Sequence, residues 1–190
     1  MTASDYLKAC GKDVADAYAH MRHTPDSLLT RATYRAFVSE LLAQWDSMRQ
    51  AITVSPWTDD GQPYHDSAAM MFDVSEHHHL WVYTGGDVPT GHPMGEYIDG
   101  IGVVNHVFRA VHDYYGHAVN GYTFSPTGEE CAFRAHRKMF GHAAQWALAC
   151  ETRAQSCAFN YGPNAHIVRA NRPFPEQKAG ILPAFAVFTE

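Results

Sequence analysis

The sequence predicts a mainly α-helical single domain, spanning residues 1–190, with a few short β-strands. The chain is long enough, with 46% hydrophobic residues, to bury one substantial core. Long stretches near the N-terminus and in the second half carry apolar residues at intervals of three and four, the spacing of a helix with one buried face. The β-prone pieces are short and are separated by proline, glycine and aspartate.

The first 51 residues predict an N-terminal helical pair. The first helix is expected to end near His23, because the Thr24-Pro25-Asp26 tripeptide is typical of a turn. The second, residues 27–51, is expected to bury an apolar stripe that starts at Leu28 and Leu29. A short turn between two long helices favours antiparallel packing.

The middle of the chain changes character after residue 51. LWVYTGG, residues 80–86, predicts a strand that ends at two glycines, and residues 86–100 are rich enough in glycine and proline to form a lid or a loop facing a substrate. The three consecutive histidines His77–His79 point in different directions, so we expect an exposed or capping role for them. The apolar run AFAVF, residues 184–188, predicts a strand or a contact with a partner.

Composition narrows the functional classes. The formal net charge of −6 and the pI near 6.1 do not suggest a protein that binds a nucleic-acid backbone through a basic surface. The four cysteines have no CxxC spacing and are too sparse for a disulfide framework, which favours a reduced, cytoplasmic protein. No stretch predicts a signal peptide or a membrane span, so no membrane partner is expected.

Residues 101–158 predict a helical metal-site core. Imidazoles and carboxylates recur here among apolar residues, and a buried charge must be paired or bound to a metal. At α-helical spacing, His106, Asp113 and His117 share one face of the central helix. The predicted metal ligands are His112, His117, Glu130, His136 and Glu151.

Other residues of this segment have predicted supporting roles, and the catalytic candidates are Asp113, Arg153 and Glu129. Asp113 is expected to be a ligand or to orient a histidine. Arg153 is expected to pair with Glu129 or Glu130, or to bind an anionic substrate. Gly116 weakens a helix relative to alanine, which indicates that another group packs closely against it.

Three functional classes fit these residues. The first is an oxidoreductase with non-haem iron, in which zinc or manganese are the alternative transition metals. The second is a metal-dependent phosphohydrolase, because VHDYYGHA is similar to the His-Asp core of HD-domain enzymes; no aspartate follows Asp113, so Glu151 would have to replace one. The third is a non-catalytic binding or structural protein. The chain has no G-x-S-x-G motif and no phosphate-binding glycine motif.

Four patterns occur in order along the chain: VHD-x-x-GHA, GEE-x-A-x-R-x-H, ETR-x-Q and QKAG-x-LP. In these motifs the sequence, from about Gly61 onward, resembles a family encoded by bacteriophages and related mobile elements. The resemblance implies a phage origin, a host bacterial cytoplasm and, by association, a small-molecule, nucleotide or DNA substrate. The sequence is compatible with a homo-oligomer. The motif residues carried over are His112, Asp113, His117, Glu129, Glu130, His136, Glu151, Arg153 and Gln155.

Overall fold

Two long helices open the chain, as predicted. The computed structural model describes residues 1–86 and 88–189. Helix α1 spans Ala3–His20 and is capped by Thr2, whose hydroxyl accepts a hydrogen bond from the Asp5 amide. Helix α2 spans Leu28–Met48 and is capped in the same way by Ser27. Each cap satisfies an amide that has no partner within its helix.

The buried face of α2 differs from the prediction at its start. Leu28 is 86% exposed and Leu29 is 60% exposed. The buried face runs through Thr30, Phe37 and Leu41. At about 100° per residue, Leu28 lies nearly opposite Thr30 on the helix, and Leu29 lies about 100° from Thr30, at the edge of the buried face.

A small parallel sheet follows the helical pair. Strand β1, Thr53–Trp57, pairs with β2, His79–Tyr83. The crossover between them contains helix α3, Ser67–Phe72, and a π-helical turn, Asp73–His77. The strand predicted at LWVYTGG is therefore confirmed, and its side chains Leu80 and Val82 are buried. Strands β3, Tyr97–Ile98, and β4, Gly102–Val103, form a second, antiparallel pair.

The second half of the chain builds the helical core in which the predicted site residues lie. Two π-helical turns interrupt its helices, one after α4 and one between α6 and α7. Helix α1 packs on α7, and α2 packs on α4 and α6. The elements in order are α4 Val104–His112, the π-turn Asp113–His117, α5 Pro126–Arg137, α6 His142–Ala149, the π-turn Cys150–Ala154, α7 Gln155–Tyr161 and α8 Ala184–Phe188.

The C-terminal apolar run is a helix, so the predicted strand was wrong. Pro183 lies at the N-cap of α8, and Ala186 and Val187 are fully buried. Phe188 stacks on His142 and contacts the edge of Trp146. Packing of the run on α6 therefore outweighs its β-propensity, as tertiary context often does for short segments.

The structure is a mainly α-helical single domain, as the sequence predicted. Its strands are short, and the four cysteines Cys10, Cys131, Cys150 and Cys157 are all free. Within residues 1–86 and 88–189, the helices are all too short or too polar to cross a bilayer. Residues 86–100 were predicted to form a lid or a loop facing a substrate, and Asp87 of this segment lies outside the described residues. His92 of the same segment is buried.

Candidate metal centre

The π-helical turn Asp113–His117 brings two histidines of the central helix together. Residues five apart on an α-helix are separated by about 140° around the axis. In the π-turn, where each amide bonds five residues back, His112 and His117 come onto nearly the same side. Their ring centroids are 5.1 Å apart and the rings are perpendicular. His106, Asp113 and His117, predicted to share one face of a regular α-helix, are divided between α4 and the π-turn, and Asp113 lies near enough to His117 to help raise the pKa of that histidine.

Gly116 makes room for this arrangement. A Cβ atom at this position would lie 3.1 Å from Cε1 and Nδ1 of His112, and 3.4 Å from the Cβ of Ala132. The His112 ring therefore packs directly on the glycine backbone. The close packing that the sequence indicated at Gly116 is confirmed, and the group that packs there is a candidate ligand.

Glu129 is the third member of the cluster. It lies in the first turn of α5, which begins at Pro126 and is capped by the Ser125 hydroxyl. Its Oε2 lies 3.5 Å from Nε2 of His117. One ligand atom from each of His112, His117 and Glu129 lies within 4.8 Å of the others. The two histidines are buried, whereas the glutamate side chain is 28% exposed, so the cluster meets solvent on the Glu129 side.

A chain of hydrogen bonds orients His112. The Gln44 amide nitrogen donates to the Met139 carbonyl, which leaves the Gln44 carbonyl facing His136 Nε2 at 2.8 Å. If His136 Nε2 carries the hydrogen, His136 Nδ1 accepts from His112 Nδ1, 3.0 Å away. His112 then presents a bare Nε2 lone pair. That atom is buried and has no hydrogen-bond partner among the described residues.

His117 is oriented by the backbone. Its Nδ1 lies 3.1 Å from the Tyr122 carbonyl and donates to it. The Nε2 atom of His117 is thereby left to face Glu129. A ring nitrogen bonded to a carbonyl while the other is free is the usual arrangement of a histidine that binds a metal.

Burial determines the charge state of His112 and of His136 behind it. Burial, reinforced by His117 and His136, holds the pKa of His112 well below its ordinary value. Burial lowers the pKa of His136 to about 3. Both imidazoles are therefore neutral, the form in which histidine binds metals. Burial opposes the charged form of His117, but Glu129 and Asp113 outweigh it and raise the pKa of His117.

Asp113 lies beside the cluster, but its carboxylate is not one of the three groups whose ligand atoms lie within 4.8 Å of one another. It is half-buried, and burial raises its pKa to about 6. Glu129 adds to this rise, while His117 and Arg109 oppose it. A carboxyl group in this position is suited to exchange a proton next to the cluster.

Glu130 and Arg153, a predicted ligand and a predicted catalytic residue, form a closed ion pair instead. Arg153 Nε and Nη2 bind the two Glu130 oxygens at 2.9 and 2.5 Å, and Arg134 adds a contact of 2.6 Å. The Arg153 guanidinium also lies between the rings of Tyr6 and Phe133. The predicted pairing of Arg153 with one of the two glutamates is confirmed. The lone pairs of Glu130 are thus occupied by cations.

Glu151, also a predicted ligand, lies in a separate buried cluster. The Tyr34 hydroxyl donates to Oε1, and Gln155 donates to Oε2 at 3.0 Å. His92 Nε2 is 3.6 Å from Oε1. Because no cation among the described residues contacts it, burial raises the pKa of Glu151 to about 7, against the effect of the Tyr34 and Gln155 hydrogen bonds.

The five predicted ligands therefore fall into three places. His112 and His117 converge, His136 lies directly behind His112, and Glu130 and Glu151 lie in the two other clusters. Glu129, which the sequence favoured as a catalytic residue, occupies the carboxylate position. The orienting role of Gln44 was missed: its position on the buried face of α2 was the only signal, and its partner is 92 residues away.

Known proteins give no independent evidence about this cluster of side chains. No protein-family model, no curated protein and no solved structure matches the chain.

Proposed function

We propose that this protein is a metal-dependent enzyme whose ion is held by His112, His117 and Glu129. The observation that carries the proposal is the buried Nε2 atom of His112, which has no hydrogen-bond partner among the described residues and belongs to a ring that has a ligand atom close to those of His117 and Glu129. Leaving such an atom without a partner costs free energy, on the order of 1–3 kcal/mol. A bound cation would recover that cost.

The donor set favours a non-haem iron enzyme, and therefore an oxidoreductase. Two histidines and one carboxylate that leave several coordination positions open are typical of non-haem Fe(II) oxygenases. Iron bound there would supply oxygen or peroxide chemistry. Glu129 lies at the solvent side of the cluster, from which a substrate would approach, and Asp113 would exchange a proton with that substrate.

The second candidate function is hydrolysis that depends on zinc or, as a further alternative, on manganese. Two histidines and one glutamate also form the ligand set of catalytic zinc. An HD-type site would also use a histidine upstream of His112, and the run His77–His79 offers candidates for it. This arrangement has less support, because His77 and His79 both hydrogen-bond to Asp73. A non-catalytic binding protein is the third alternative.

A nucleotide is the substrate class that the surroundings favour. A cleft of about 420 Å³ is lined in part by residues of α5 and of the π-turn that follows α4. Its lining includes two aromatic rings, Tyr115 and Tyr122, and two cations, Lys138 and Arg134, the second of which also pairs with Glu130. Aromatic rings stack on bases, and cations bind phosphate. We expect Lys138→Ala to weaken the binding of nucleoside monophosphates several-fold in calorimetry. Lys8→Ala, at an exposed lysine outside the cleft lining, should leave it unchanged; equal effects would exclude this substrate class.

Metal content tests the main proposal directly. Untagged protein should contain about one iron per chain, or take it up after anaerobic reconstitution, and His117→Ala and Glu129→Gln should lose it while staying folded. His20→Ala, at an exposed histidine outside the cluster, is the matched control. Gln44→Leu should weaken metal binding by about tenfold to a hundredfold, because it removes the hydrogen bond that orients His136 and, through it, His112, together with the bond from Gln44 to the Met139 carbonyl.

The outcomes separate the alternatives. Stoichiometric zinc in place of iron would favour hydrolysis. Absence of any bound metal, in wild type and after reconstitution with iron, zinc or manganese, would leave the binding or structural role and exclude the proposal.

A further inference from the structure

The outer face of the parallel sheet carries a second constellation of polar side chains, separate from the metal centre. Ser55 Oγ lies 3.0 Å from Nε2 of His79, and Nδ1 of the same ring lies 2.9 Å from Oδ2 of Asp73. Ser55 is on β1, His79 begins β2, and Asp73 begins the π-turn between α3 and β2. A serine, a histidine and an aspartate are therefore hydrogen-bonded in series.

The roles within this series follow from the donors and acceptors. Three side chains hydrogen-bond to Asp73 and, against the opposing effect of burial, lower its pKa, so the group is an ionised acceptor. His79 Nδ1 must then donate to it. The lone pair of His79 Nε2 is left to accept the hydroxyl proton of Ser55. This is the arrangement of a serine activated by a histidine base, which is recognised by geometry and not by a local motif.

Asp73 is held rigidly for this purpose. The Tyr64 hydroxyl donates to Oδ2 at 2.7 Å and accepts from the Trp81 amide at 2.8 Å. His77 Nδ1 binds Oδ1 at 2.8 Å. His78 adopts a left-handed conformation, with φ of 51°, and this reversal turns His79 back towards Asp73. Such a conformation in a non-glycine residue is unfavourable and is often found at functional sites.

The surroundings of Ser55 are aromatic and accessible. Alternate residues of a strand share a face, so Trp57 lies on the side of Ser55, and Trp81 lies on the side of His79. The Trp81 ring centroid is 4.8 Å from that of His79 and 5.6 Å from that of Trp57. Trp81 is 36% exposed, and Ser55 and His79 are half-buried. An apolar or aromatic group of a substrate could stack here next to the hydroxyl.

We propose that Ser55, His79 and Asp73 form a second catalytic site, which hydrolyses small esters that carry an apolar or aromatic group. Ser55 Oγ forms a bond to the ester carbonyl carbon while its proton passes to His79 Nε2. The carbon–oxygen bond to the alcohol then breaks, and the alcohol leaves with that proton. Water, deprotonated by His79, attacks the acyl-serine and releases the carboxylic acid, which restores Ser55. Asp73 positions His79 throughout.

A fluorophosphonate probe, which bonds to activated serines with loss of fluoride, tests the proposal together with the hydrolysis of p-nitrophenyl acetate. Wild type should be labelled at Ser55, as read by peptide mass spectrometry, and should release p-nitrophenol. Ser55→Ala should lose both. Thr53→Ala, which removes a hydroxyl from the same face of β1 two residues earlier, should retain both. His79→Ala should slow labelling by about a hundredfold or more.

Two controls keep the result separate from the metal centre. His117→Ala, and wild type treated with a chelator, should retain labelling and ester hydrolysis, since neither touches the serine. If the protein binds no metal, Ser55 can still react with the probe. If Ser55 does not react, the metal site can still be present. Absence of labelling in wild type, labelling that persists in Ser55→Ala, or hydrolysis that disappears with the metal would overturn the proposal.

Discussion

Glu129 and Glu130 are neighbours in sequence and lie in opposite environments. Glu129 faces His117 at the solvent side of a cluster in which the buried Nε2 of His112 has no hydrogen-bond partner within the described part of the chain. Glu130 points to the other side of α5, into a pair in which both oxygens are bound by Arg153. The difference shows how to separate a candidate site from structural polarity. In the Glu130 cluster each carboxylate oxygen is paired with a cation. In the candidate metal site, by contrast, ligand atoms of three side chains lie close together without a cationic side chain from the described residues between them.

The largest expected effect comes from opening the closed pair. Glu130→Gln should destabilise the fold by about 3–5 kcal/mol, because it leaves the buried Arg153 guanidinium without its carboxylate. Glu129→Gln should change stability by about 1 kcal/mol or less, since that side chain is partly solvated. Denaturant unfolding of both variants, treated with a chelator, measures the difference. Equal losses would contradict the distinction between the two glutamates.

Glu151 extends the comparison to a buried carboxyl group without a cation. Its pKa is raised from 4.5 to about 7, so between these values the folded protein keeps a proton that the unfolded chain releases. This contribution is fully present below pH 4.5 and is lost as pH rises through 7, by roughly 3 kcal/mol in total. Glu151→Gln should remove this dependence.

His92 acts with the opposite sign, because burial lowers its pKa to about 4, so the informative quantity is the difference between wild type and Glu151→Gln. That difference should grow in favour of the variant as pH rises from 5 to 8, in unfolding experiments at each pH. A difference that does not change with pH would mean that Glu151 is ionised when buried.

Gly116 gives the smallest and most specific test. Alanine at an interior helical position normally gains up to about 1 kcal/mol over glycine. Here its Cβ would press on the His112 ring, so Gly116→Ala should cost about 1–3 kcal/mol and weaken metal binding. In a His112→Ala background the same change should become neutral or stabilising. If the sign does not reverse, the packing of His112 on Gly116 is not the reason for the glycine.

Much of the site was predictable from residue types and spacing, and its geometry was not. Buried histidines and carboxylates in residues 101–158 indicated a metal site, and Gly116 indicated close packing. The π-turn at Asp113–His117 cannot be deduced from spacing, because it depends on packing that favours one extra residue in a turn. It brings the His112 ring next to the His117 ring.

The sequence by itself determined the mainly helical architecture, the short strands and the segment in which the metal-type residues gather, since these depend on local periodicity and on capping and turn residues. The tertiary structure alone decided which residues meet. It paired Arg153 with Glu130, it placed Gln44 next to His136, which is 92 residues away in the sequence, and it brought Ser55 and His79 within hydrogen-bonding distance across two parallel strands. The physical reason is that local preferences act over a few residues, whereas the direction of a buried side chain depends on the packing of whole elements.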